Sequence, residues 1–110
     1  MQPKGQHLDD VRVFTGTLIA DLVLPYAHSL KERRGPLRAL VQKLKNQDLA
    51  VAQVGPADLH QRVFLAISAI SSSESQLEKL LDMAERLLLS REFEVANVLR
   101  DINVESFRSD

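Results

Sequence analysis

The chain has 110 residues, a formal net charge of −1 and no cysteine, which fits one domain and excludes disulfides, thiolate metal sites and cysteine nucleophiles. Hydrophobic residues at 45% and charged residues at 26% are the mix of a globular protein and not of a disordered chain. No apolar run approaches the roughly 20 residues of a membrane span, and the polar opening MQPKGQHLDD is not a secretory signal, so a cytoplasmic protein is expected.

Residues 1–10, with Pro3 and Gly5 and no periodicity, predict a flexible tail before one domain at 11–104. From Val13 to Leu24 the pattern alternates. Phe14, Leu18, Ala20, Leu22 and Leu24 fall on one side, and Val13, Thr15, Thr17, Ile19, Asp21 and Val23 on the other. Period two with β-branched residues predicts a strand, which Pro25 ends. Ser29 and Glu32 form a capping-box pattern, and Leu30, Leu37, Leu40, Val41 and Leu44 follow at helical spacing up to Asn46. Pro36 cannot donate to the Glu32 carbonyl, a loss of about 3 kcal/mol in a regular helix. A kink at Gly35-Pro36, or a separate short first segment, is therefore expected.

Residues 49–54 predict a short strand and Gly55-Pro56-Ala57-Asp58 a turn. In the next strand Val63, Leu65, Ile67 and Ala69 alternate with Arg62, Phe64, Ala66 and Ser68. Ser71-Ser72-Ser73-Glu74 offers several N-caps for a second helix, whose apolar face is Leu77, Leu80, Leu81, Ala84, Leu87 and Leu88. Residues 92–102 complete the set as a last strand, and 105–110 are expected to fray.

The order β-α-β-β-α-β is the α+β, ferredoxin-like plan: a four-stranded antiparallel sheet with two helices on one face. This topology brings Pro25–Ser29, Gly55–Gln61 and Ser90–Glu92 to one end, onto which the first helix opens its N-terminus. Charge concentrates there. Residues 29–46 carry six bases and one acid, net +5, whereas residues 71–110 are −4. Ser29, Lys31, Arg33, Arg34, Arg38, His60, Gln61 and Arg62 are candidates for contacting an anion or RNA, since helix N-termini and clustered cations both favour phosphate. The competing reading is a solvated helix face, with Asp21 closing on Arg62.

The helix-free side of the sheet is expected to hold Thr17, Ile19, Phe64, Ala66 and Val98, together with Ala96 and Ile102. It is too apolar for full solvation and too poor in aromatics to stack bases, so a homodimer or higher homo-oligomer interface is the preferred reading. No nucleophile elbow, phosphate loop or zinc-protease motif is present. His28, His60 and Asp58 read as solvated loop residues, not as a metal site. Glu78, Asp82 and Glu85 read as a solvated helix face. No enzyme, cofactor or metal is expected.

Ser29-Leu30-Lys31-Glu32-Arg33-Arg34, together with Val54-Gly55-Pro56-Ala57-Asp58-Leu59-His60-Gln61-Arg62, resembles the YlxP-like family of small bacterial proteins of unknown function over about residues 13–103. The sequence departs from that family's pattern at His60, Gln53 and Gly35-Pro36. The resemblance implies a ferredoxin-like fold. It also implies a ribosome-linked role, because the family's genes often neighbour those of translation initiation and ribosome maturation factors. Two functions are carried forward. One is a non-enzymatic accessory factor that contacts rRNA or a ribosomal subunit through the basic helix and loop end. The other is a module for a small anionic ligand that dimerises through its sheet.

Overall fold

The computed structural model describes residues 11–107; the tail expected at 1–10 lies outside them. The elements are β1 (Arg12–Val23), α1 (Leu30–Lys45), β2 (Ala50–Val54), β3 (Arg62–Ser71), α2 (Glu74–Leu87) and β4 (Glu94–Ser106). The strands form one sheet in the order β2-β3-β1-β4, and every neighbouring pair is antiparallel. This is the expected α+β, ferredoxin-like arrangement.

Alternation in β1 and β3 places Leu18, Ala20 and Leu22 beside Val63, Leu65 and Ile67 on one face. These side chains are fully buried, as are Leu44 of α1 and Leu77, Leu81 and Ala84 of α2. Burying side chains of this size removes about 1.5–3 kcal/mol each from water exposure, and this holds the helices on the sheet. The caps fix where the helices begin. Ser29 Oγ accepts the Glu32 N–H at 3.1 Å, and Ser73 Oγ accepts the Gln76 N–H at 3.3 Å. Glu32 Oε1 reaches back to the N–H of His28, one residue before the cap, at 2.7 Å.

Pro36 lies inside a continuous α1 and starts no separate segment. Arg33 before it and Leu40 and Leu44 after it are all buried. Tertiary packing on both sides carries the helix across the missing hydrogen bond.

Two expectations for β4 are corrected. The strand continues to Ser106, where Glu105 opposes Val13 and Ser106 opposes Arg12, so fraying does not begin at 105. Val98, expected on the helix-free side, faces the helices. Its Cα partner is the buried Ala20, and it packs against the core. The cause is a bulge opposite Asp21 and Leu22. Asp21 pairs with Asn97 and Leu22 with Val95, which leaves Ala96 unopposed. One extra residue reverses the faces of everything beyond it. Ile102 likewise turns to the core, and Leu99 takes the helix-free position beside Ile19.

α2 crosses β1 at Gly16. A Cβ there would stand 2.6 Å from Leu81 Cδ1 and 3.3 Å from Cδ2, in the fully buried centre of the core. Gly16→Ala is expected to destabilise the protein by about 1–3 kcal/mol, the usual range for overpacking. Denaturant unfolding measures it, and an unchanged midpoint would show that Leu81 can repack freely.

Candidate functional site

On α1, Lys31, Arg34, Arg38 and Lys45 follow one another at intervals of three, four and seven residues, so they share one side of the helix. All four are exposed. The helix stands beside β2, and the two walls enclose a groove of about 670 Å³. Its apolar floor is Leu30, Leu37, Val41 and Val51; its polar lining is Arg33, Arg34, Arg38, Gln42, Lys45 and Gln53. Among the described residues no acid lines it. β2, with the uncharged sequence Ala50-Val51-Ala52-Gln53-Val54, is an edge strand, bonded among the described strands only to β3.

Arg33 does not serve as a surface contact. It is only 7% exposed, and its guanidinium points into the β2–β3 loop. Nη1 donates to the carbonyls of Leu59 at 2.6 Å and Arg62 at 3.1 Å, and Nη2 donates to Ala57 at 3.3 Å. Its solvation shell is replaced by backbone dipoles, so its role is to hold the loop against the helix.

Arg62 is also engaged. Nε meets Asp21 Oδ1 at 2.9 Å and Nη2 meets Oδ2 at 2.7 Å, a bidentate pair. The guanidinium carbon lies 5.1 Å from the centre of the Phe64 ring. Hydrogen bonding to Arg62 holds the Asp21 carboxyl below its ordinary pKa, and the carboxylate in turn raises that of Arg62. The β1–β3 register, with Asp21 opposite Phe64 and Val23 opposite Arg62, explains why the two meet.

The loop end forms as the topology predicts. The Leu24 N–H donates to the Gln61 carbonyl at 2.9 Å, and a small cavity of about 70 Å³ brings Tyr26, Glu32 and Pro36 beside Glu92. His60 and Gln61 are exposed there, around a shallow hollow with Asp58, Leu59 and Arg62. The Ser29 hydroxyl is committed to its cap. The candidate residues therefore separate. Arg34 and Arg38 flank the α1–β2 groove, Lys31 lies a turn before them, His60 and Gln61 stay at the loop tip, and Arg62 turns to the helix-free face. Lys45, Gln42 and Val51 complete the groove without having been singled out. The seven-residue step from Arg38 marked Lys45, whereas nothing in the sequence marked the proximity of β2.

On the helix-free face Thr17, Ile19, Phe64 and Ala66 stand together, and Val98 is replaced by Leu99. Asp82 and Glu85, expected to be solvated, both accept from Arg100 Nη2, at 2.9 and 2.6 Å. Among the described residues no group of three or more histidines and carboxylates forms a metal-binding cluster, and no helix is long and apolar enough to cross a membrane.

Comparison with known proteins adds the following. The family described as "Protein of unknown function (DUF503)" matches residues 15–100. The uncharacterized protein YlxP of Bacillus subtilis (strain 168) is 38% identical over 54 residues, which are 48% of this chain and 59% of that protein. Among solved structures, the de novo designed protein Foldit4 aligns over 88% of this chain and 99% of its own, with a TM-score of 0.40 and 13% identity.

Two outcomes are expected. Arg33→Ala leaves the carbonyls of residues 57, 59 and 62 without their donor and should destabilise by about 2 kcal/mol or more, given ~1.5–3 kcal/mol for a hydrogen bond to a charged group. Faster amide exchange across residues 55–62 would report it, and unchanged exchange would refute the clamp. Because the Asp21 pKa is lowered on folding, its contribution is present above the unfolded carboxylate pKa of about 3.9 and is lost as pH falls through the folded value. Asp21→Asn should therefore flatten the acid limb of the stability profile below about pH 4.

Proposed function

This chain belongs to the DUF503 family of proteins of unknown function, and from that starting point we propose that it is a non-enzymatic accessory protein that binds the phosphate backbone of structured RNA through α1. The ribosomal RNA of a subunit is the partner that the YlxP-like resemblance implies. The observation that carries the reading is the basic stripe. Lys31 and Lys45 are 14 residues apart, about 21 Å along a helix rising 1.5 Å per residue. With phosphates a few ångströms apart along each strand, ~3.4 Å in duplex DNA, that length suits a run of phosphates better than one small anion. The stripe also borders a groove that no acid among the described residues lines, so none of them neutralises it there.

The alternative, a small anionic ligand at the α1 N-terminus, has less support. The Ser29 hydroxyl already accepts one of the free N–H groups, and the Glu32 carboxylate occupies the position where an incoming anion would gather charge. Arg62, the cation nearest that reading, is paired with Asp21.

Phosphate contacts of this kind give affinity without reading base sequence, and the affinity falls with salt. Co-sedimentation with ribosomal subunits at two salt concentrations tests the proposal. The wild-type chain should pellet at low salt and release at higher salt. The triple variant Lys31→Glu, Arg34→Glu, Arg38→Glu should lose binding, with the salt slope shallower by about 2–3, near 0.7–0.9 per phosphate contact removed. Binding that survives the triple reversal with the same slope refutes it.

A further inference from the structure

No element among the described residues covers the helix-free face of the sheet. An antiparallel sheet with one wet side ordinarily alternates polar residues outward. Here polar positions such as Thr17, Asp21, Ser68 and Asp101 are interrupted by large apolar ones. Ile19 is 40% exposed, Leu99 60% and Ile70 66%, and Phe64 is half-buried among them.

We propose that this face is the interface of a homodimer, two copies stacked sheet on sheet about a two-fold axis that runs along the strands between β1 and β3. The argument is the order of side chains across the sheet. In the central rank the register aligns Ala52 of β2, Ala66 of β3, Ile19 of β1 and Leu99 of β4. The order is two small residues, then two large ones. A two-fold along the strands places β1 over β3 and β4 over β2 of the second copy, at the same height. Ile19 then sits over Ala66 and Leu99 over Ala52, and the reverse holds from the other side. Each large side chain meets a small one, the interdigitation that two sheets about 10 Å apart require. In the adjoining rank Ala50, Ser68, Thr17 and Asp101 are aligned. The same operation sets Asp101 over Ala50 and Thr17 over Ser68, so the carboxylates of β4 never face one another.

The area suffices. Three long strands and the short β2, 40 residues together at ~4.8 Å spacing and ~3.3 Å per residue, cover roughly 630 Å² in projection. The corrugated accessible surface is larger and approaches the ~800 Å² per partner of a standard interface. Pairing edge to edge through β2 would instead bring two α1 stripes together, with Arg34, Arg38 and Lys45 of each copy opposed. That repulsion selects the face over the edge. Stacked this way, both basic helices point outward from opposite sides of the dimer.

Sedimentation equilibrium of the full chain tests this. The wild type should approach twice 12.3 kDa, and Leu99→Asp, whose site is already exposed in the single chain, should sediment as a folded monomer by circular dichroism. Ala52→Leu, which fills the opposing hollow on another strand, should also weaken association. Arg34→Glu with Arg38→Glu, on the other side of the sheet, should leave the mass unchanged. A wild-type monomer throughout the micromolar range overturns the proposal and leaves the face to a different protein. So does a dimer that persists in folded Leu99→Asp. RNA binding is read separately: the Leu99→Asp monomer retains its α1 stripe, so a failed dimer and a failed RNA partner give different results.

Discussion

Arg33 is a cation buried with no carboxylate within ion-pair distance among the described residues, and the backbone carbonyls of Ala57 and Leu59 in the β2–β3 loop and of Arg62 where β3 begins surround its guanidinium. Arginine stays protonated in proteins, so the charge must be satisfied where it lies. Only these carbonyls do so, which ties loop and helix to one relative position. That position sets the distance between α1 and β2, and hence the width of the groove that Arg34, Arg38 and Lys45 border. It also carries α1 past Pro36, because the helix is anchored by Arg33 on one side of the proline and by Leu40 on the other.

The formal charge of −1 is a cancellation with a spatial meaning. The acids of α2 are partly consumed internally, Asp82 and Glu85 by Arg100, and Asp21 neutralises Arg62. Among the described residues the cations of α1 beside the groove have no such partners, so the surface field there is more positive than the composition implies. The same cations stand guard beside β2. That strand has no charge or proline of its own to discourage pairing, and the helix supplies from outside what edge strands commonly carry themselves.

Periodicity was a sound guide wherever one residue follows another at a constant step. The two helices, the cap at Ser29, and the inward faces of β1 and β3 were all legible, as was the antiparallel four-stranded plan with both helices on one face. Three features were not. Arg33 belongs to the same basic run as Arg34, and only its angular position and the loop carbonyls distinguish a clamp from a surface charge. The Arg62–Asp21 pair was the favoured reading from register, but its bidentate geometry was not legible, because the sequence does not fix how two side chains from different strands meet. Val98 was placed on the wrong face because parity propagates from Phe93 and Val95 along β4, and a bulge carries no mark in the sequence when the extra residue is an ordinary alanine.

The bulge also bears on how the length of this chain can vary. Val95 faces Leu22 and Asn97 faces Asp21, so the residues on either side of Ala96 already occupy consecutive rungs of the ladder. Removing Ala96 would restore a regular strand without turning any other side chain over, whereas a deletion elsewhere in the strand interior would exchange its wet and dry sides. A strand built this way has one place where its length is negotiable, and it lies near the end of the sheet where the loops gather.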